Sequence, residues 1–335
     1  KMSANITLSR DELQIFINQL QHKIMVDYPL TNQQILTADP EDKHYELDLH
    51  ISSDDFGSFS GSEIWDQEKP NYNDFVHSFL ASNLITYPNL DDFRELVNGN
   101  HKSRRKYVYA PDTNLFYNRF ISTGEIKPDE LLIVNSVQKE ITRMLNKKYS
   151  SNQISEMRRE IRYQKQVLDK FSNQRMKKSR KARNLALQEY LQYADKSYAT
   201  IQTKDLVDDK EENDMIFVES IREYQNKGNT RPVILTCDKS LTDLCVSLGV
   251  DYFFFEFPRT IQPINPSPSQ LCQLLCNLAA VLGVIKINNT LLYSEFIGKQ
   301  DISQYQLTYL SGKVPEKFAR DLEICQGLMK LRIKI

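Results

Sequence analysis

Apolar residues recur along this chain with two periods. Leu13, Phe16, Ile17, Leu20 and Ile24 follow helical spacing and predict an amphipathic helix over residues 11–25. Over residues 45–51 apolar and polar positions alternate instead, with Leu47 and Leu49 on one face, as in a half-buried strand. Gly57 and Gly61 mark turns, and a second helix is predicted over 74–84. Farther on, residues 106–110, 131–134, 233–236 and 252–257 are short apolar runs separated by helical patterns, which is expected of a parallel sheet covered on both faces. Val137, Ile141 and Met144 form a helical stripe after the second run, with Asn135 predicted to cap that helix and Gln138 in the capping-box position. Ile216, Phe217 and Ile221 form another stripe, with Asn213 as its predicted cap. Pro258, Pro263, Pro266 and Pro268 read as a linker. Beyond it, 270–282 predicts a helix, 284–287 and 291–296 a hairpin around Asn288-Asn289, and 315–329 a last helix with Pro315 in its first turn.

The expected organisation is an N-terminal α/β unit (1–103), a central α/β unit (104–260) and a small C-terminal α+β unit (268–335). A basic helical insertion at about 148–200 interrupts the central unit. There Ile154, Met157, Ile161, Gln164, Leu168, Phe171 and Arg175 recur at alternating spacings of three and four, predicting a helical arm that pairs with residues 185–193.

Charge sharpens this division. The 335 residues carry a net charge of −1, yet residues 156–183 hold 11 Lys/Arg against 3 Asp/Glu, a balance of +8. Arg175, Lys177, Lys178, Arg180, Lys181 and Arg183 stand together with no acid among them and require a counter-charge. Nucleic-acid phosphates are the expected one. An acidic partner protein or the chain's own acidic regions are the alternatives. The five cysteines show neither disulfide nor metal spacing and read as reduced thiols of a cytosolic protein. No signal-peptide pattern is read, and the longest apolar stretch, 271–285, is too short to span a bilayer, so no membrane partner is expected. Ten glycines are too few to suggest Gly-rich phosphate loops, and the five histidines are scattered.

The candidate chemistry lies in four acids. Asp112 follows the first central run, Glu140 lies in the helix after the second, Asp214 stands at a helix start, and Asp238 follows residues 233–236. In a parallel sheet, sites form beyond the carboxyl ends of the strands, where Asp112 and Asp238 fall. Carboxylates that converge there repel one another unless a cation lies between them, and a hard divalent ion suits oxygen ligands. Tyr107, Tyr109, Phe116, Tyr117 and Phe120 surround Asp112 in sequence, with core packing expected for most and stacking on unpaired bases for the remainder.

The ordered set Asp112-Thr113-Asn114-Leu115, Ser136-Val137-x-x-Glu140-Ile141, Asp214 and Thr236-x-Asp238 resembles the PIN domain nucleases over roughly residues 105–258, under half of the chain. The resemblance implies an α/β/α sandwich around a central parallel sheet. It implies Asp112, Glu140, Asp214 and Asp238 as catalytic ligands of Mg²⁺ or Mn²⁺, steadied by Thr113, Asn114 and Thr236, with Asp243 as a substitute ligand. It further implies an endoribonuclease that hydrolyses phosphodiester bonds of single-stranded or structured RNA. The gap between Glu140 and Asp214 is longer than in a minimal PIN domain because of the basic insertion, and the small toxin ribonucleases of the family lack the flanking units. Those units are expected to hold RNA or to mediate self-association or binding of a protein partner. Two other readings stand beside this one, a catalytically weak RNA-binding or assembly module and a structure-specific DNA nuclease. A haloacid-dehalogenase-like phosphatase needs a second Asp two positions after the first, where this chain has Asn114.

Overall fold

The computed structural model describes residues 4–20, 22–52 and 61–331. The turn expected at Gly57 lies outside them. The fold is mixed α/β. Its strands are β1 (Ala4–Ser9), β2 (Ile24–Tyr28), β3 (Gln33–Pro40), β4 (Tyr45–Leu49), β5 (Lys106–Pro111), β6 (Leu132–Val134), β7 (Ala199–Ile201), β8 (Thr230–Thr236), β9 (Asp251–Phe254), β10 (Val284–Ile287), β11 (Thr290–Tyr293) and β12 (Gln304–Tyr309). The chain divides into two compact units. One comprises Lys1–Leu84, Lys147–Arg180 and Pro263–Ile335, and the other comprises Ile85–Asn146 and Lys181–Gln262.

The first unit is built on a seven-stranded sheet in the order β1-β12-β11-β10-β2-β3-β4. All its pairings are antiparallel, with Ile6 opposite Leu307 and Leu8 opposite Tyr305. The N- and C-terminal segments, expected as separate units, therefore share one sheet. Their pairing joins residues some three hundred positions apart, and local periodicity carries no trace of it. The hairpin β10–β11 forms as expected, with Asn288 in the left-handed region at φ 50°. The helix Pro268–Leu282 is buried on every side from Leu271 to Leu282, as its all-round apolar sequence requires.

The basic insertion is not one arm. Its first part is a helix, Ser151–Glu160, that ends at Ile161 in extended backbone, followed by a short 3₁₀ run, Lys165–Phe171. Gln164, the polar interruption of the apolar seam, sits at φ 42°. Ile154, Met157, Ile161, Leu168 and Phe171 are buried in the first unit. Residues 185–193, the expected pairing partner, belong to the second unit. There the π-helical run Ala182–Leu187 packs on the helices Thr113–Tyr117 and Asn135–Met144.

The second unit carries a three-stranded parallel sheet in the order β5-β8-β9 and a two-stranded parallel pair β6–β7. A parallel bridge between Tyr109 and Leu131 sets β6 beside β5. β7 was not expected, since Ala199–Ile201 is short and only half-buried. The helix Leu90–His101, expected in an N-terminal unit ending at 103, packs here instead. Phe93 lies 5.7 Å, centroid to centroid, from Tyr109 and 5.1 Å from Phe255. That aromatic core backs the sheet and leaves the carboxyl ends of β5 and β8 side by side, with Pro111 paired to Leu235.

Candidate functional site

Asp112 follows β5 directly and opens the helix Thr113–Tyr117. Its amide donates to Leu235 O (2.9 Å), extending the ladder by one bond, and its Oδ1 caps the helix by accepting from the Leu115 amide (3.1 Å). Its Oδ2 accepts from the Thr236 hydroxyl (2.5 Å) and, at 3.4 Å, from Asn114 Nδ2. Thr236, fully buried at the end of β8, accepts in turn from the Asp238 amide (2.9 Å). One hydroxyl therefore ties Asp112 to the loop that carries Asp238. Asp238 caps the helix Lys239–Leu248, accepting at Oδ1 from the Ser240 amide (2.9 Å) and hydroxyl (2.6 Å).

Glu140 reaches the same edge from the helix Asn135–Met144, where its Oε2 accepts from the Thr113 hydroxyl (2.5 Å). The expected capping box is absent. The helix starts at Asn135, whose side chain instead donates to Gln202 and accepts from the Thr203 amide and hydroxyl (2.8 Å each). Asp214 lies in the second turn of the helix Lys210–Lys227 rather than at its start, because Asp209 is the cap and accepts from the Glu212 amide (3.0 Å). Asn213, the expected cap, clamps the preceding loop by bonding both the amide and the carbonyl of Val207 (2.9 Å each).

The charge of Glu140 acts on Asp112 and on Asp214, and that of Asp238 acts on Asp214. Burial pushes Asp112 up to about 6, against the hydrogen bonds from Thr236, Leu115 and Asn114, and the charge of Glu140 adds to the rise. Burial also pushes Asp214 up to about 6. Lys210 opposes this rise, and Asp238 and Glu140 reinforce it. Partial burial acts on Asp238 as well, but the Lys210 ammonium and the Ser240 donors hold it below the usual carboxylate range. Lys210, one helical turn before Asp214, donates to Asp238 Oδ2 at 2.7 Å. It is the cation of the cluster that the sequence reading missed, although its spacing of four from Asp214 was visible. Tyr117 is raised by burial and by the charge of Glu140, which places this half-buried ring beside the cluster. Tyr109, Phe116 and Phe120 are core residues.

A hard divalent ion fits the chemistry of this donor set, which is all oxygen, acidic and supported by hydroxyl donors. Among the described residues, no three acid, His or Cys side chains stand together at the spacing that would hold an ion as they are placed. Asp243 is exposed on the helix Lys239–Leu248 and makes no hydrogen bond to the cluster.

Two cations fix the loop that leads to Asp214. Lys139 donates to the carbonyls of Thr203 (3.2 Å) and Lys204 (3.1 Å) and to Asp205 (3.0 Å). Arg143, one turn on, donates to the carbonyls of Leu206 and Val207. The helix carrying Glu140 thereby sets the position of the helix carrying Asp214. On a metal-binding reading of the cluster, Arg143→Ala is expected to weaken Mn²⁺ binding by about tenfold, a loss of ~1.4 kcal/mol, with the fold kept. Calorimetric titration beside a circular dichroism spectrum checks this.

The expected nucleic-acid residues divide differently. Lys177 is buried and donates to Asp74 (2.9 Å) and to the Lys69 carbonyl (2.8 Å). Arg180 is 2% exposed and is held by Tyr149, Arg175 O, Ala280 O and Val281 O. Arg175 pairs with Glu295 at 3.0 Å. For these three the counter-charge comes from the chain's own acids and carbonyls, so they are not an RNA-binding surface. Lys181 and Arg183 are half-buried, and Lys178 is exposed.

No helix among the described residues is long and apolar enough to cross a membrane. No protein-family model matches this chain, and no curated protein matches it either.

Proposed function

We propose that the second unit is a PIN-like, divalent-metal-dependent endoribonuclease. The observation that carries this reading is the Thr236 hydroxyl, buried between two parallel strand ends, joining Asp112 to the Asp238 loop while Glu140 and Asp214 raise the negative charge from two neighbouring helices. A carboxylate raised by burial, with a neighbouring like charge adding to the rise, is costly to keep, and such arrangements concentrate at working sites.

Asp112, Glu140, Asp214 and Asp238 are the residues that would hold Mg²⁺ or Mn²⁺. When bound there, the ion supplies charge neutralisation at a phosphate and a water acidified toward neutral pH. The protein's own part is orientation. Thr236 and the Leu115 amide fix both oxygens of Asp112, and Thr113 fixes one oxygen of Glu140. Hydrolysis in line at phosphorus breaks the P–O bond to the leaving ribose oxygen, and the water's oxygen takes its place.

Incubation of the protein with a labelled structured RNA and with the matching DNA, each with Mn²⁺ or with EDTA, tests the assignment. Cleavage of RNA only, and only with Mn²⁺, is the expected result. Cleavage of DNA alone would turn the reading to a structure-specific DNA nuclease, and binding without cleavage would turn it to an RNA-binding module.

A further inference from the structure

Lys210 contradicts the local rules of its helix. It occupies the first position of Lys210–Lys227, where the positive end of the helix dipole disfavours a cation. The cap is supplied by Asp209, so the helix end does not need the lysine. Its side chain is 73% exposed, so no packing holds it. What it does touch is acidic: Asp238 Oδ2 at 2.7 Å, with the charges of Asp214 and Glu140 also acting on it. A residue that breaks a local preference and is compensated only by a functional cluster marks that cluster as its reason.

Resting on the nuclease reading of this site, we infer that Lys210 is the resident counter-cation of the carboxylate cluster and that a divalent ion must displace its ammonium from Asp238 to bind. The ammonium satisfies one carboxylate and reduces the repulsion among the other three when no ion is present. It is exposed and stands on a flexible four-carbon stem, so it can leave without disturbing the helix. It therefore sets a threshold: the ion must win Asp238 from a neighbouring charge, and the site fills at a higher metal concentration than the four carboxylates alone would demand. The same displacement frees a positive charge at the rim of the site only when the ion is in place.

Calorimetric titration of Mn²⁺ into the full chain at pH 7.5 tests this, with K210M, K210R and D112N compared with the unaltered protein. K210M is expected to bind Mn²⁺ about tenfold tighter, and K210R, which keeps the charge, to remain within about twofold of the unaltered protein. Unchanged or weaker binding in K210M would overturn the role of Lys210. If D112N loses Mn²⁺ binding in that same series, the metal site stands without it. If none of the four proteins binds Mn²⁺, both this inference and the nuclease reading fall. A melting curve for each variant separates these outcomes from loss of fold, to which an exposed first-turn lysine contributes little.

Discussion

Asp112→Asn is expected to lower Mn²⁺-dependent RNA cleavage by about a thousandfold or more and, at the same time, to raise the melting temperature of the metal-free protein at pH 7.5. The first effect follows, on the proposed nuclease reading, from removing a charged group proposed to hold the metal. The second follows from burial. Asp112 is 6% exposed, and its carboxyl is pushed up to about 6 from an ordinary value of 3.8. The folded state therefore binds the proton more tightly than the unfolded chain does. The stabilising contribution of the protonated group is fully present below pH 3.8 and is lost as pH rises through 6, so at pH 7.5 the folded protein carries an ionised buried carboxylate at a cost of about 3 kcal/mol. Asparagine removes the charge and can keep two of the three side-chain hydrogen bonds, losing only the long one from Asn114 Nδ2 (3.4 Å). Its Oδ1 can still accept from the Leu115 amide, and its Nδ2 can donate to the Thr236 hydroxyl, which rotates to accept. A gain of a few degrees is expected above pH 7 and should shrink as pH falls toward 4. Paired melting curves at pH 4.5 and 7.5, without metal, check the sign. A lower melting temperature at pH 7.5 would mean that the carboxylate supports the fold, and the reading of Asp112 as a costly working residue would fail.

The strand-end positions of Asp112 and Asp238 were more legible in the sequence than the fold around them, and the reason is physical. Asp112 and Asp238 had to lie at strand ends because each follows an apolar run directly, and a polar residue there meets the open edge of a parallel sheet. Glu140 was fixed by its place beside the stripe Val137–Ile141. Helix starts were harder. Asn135 and Asn213 look like caps, but each found a partner in the loop 202–207, and that loop is fixed by Lys139 and Arg143 on the helix that Asn135 starts. A side chain that can cap can equally clamp, and only tertiary structure chooses. The division of the chain failed for a different reason. Strand pairing between Ile6 and Leu307 leaves both strands with ordinary alternation, so nothing local says that the two ends meet. The basic segment was misassigned because sequence counts charge but not direction. Arg175, Lys177 and Arg180 are densely cationic in sequence, yet the acids that neutralise them, Glu295, Asp74 and Glu68, lie far away along the chain.

That last network supports the second large expectation, a loss of about 3–5 kcal/mol on Arg180→Met. The Arg180 guanidinium is enclosed in the first unit. It donates to Tyr149 Oη (3.0 Å), to Arg175 O (2.7 Å) and to the carbonyls of Ala280 and Val281 (3.2 Å each) at the C-terminal end of the helix Pro268–Leu282. Glu68 lies 3.7 Å from it and also accepts from the Lys177 amide (2.8 Å) and from the Tyr149 hydroxyl. The backbone is cut to fit this cation. Gly283 turns the chain at φ 87°, and a Cβ there would meet Phe171 at 2.8 Å and Arg180 at 3.1 Å. Methionine fills the space of the stem but supplies none of the donors. Two helix-end carbonyls then lose their partner, and Glu68 keeps its charge in the interior with only neutral donors. The double variant Glu68→Gln with Arg180→Met should recover part of the loss, since glutamine can still accept from the Lys177 amide and no buried charge is left over. Lys178→Ala, two residues before Arg180 and exposed, should stay within about 0.5 kcal/mol. Urea unfolding of the four proteins reads the order directly. Equal stability of Arg180→Met and Lys178→Ala would show that the buried guanidinium does not hold the first unit together.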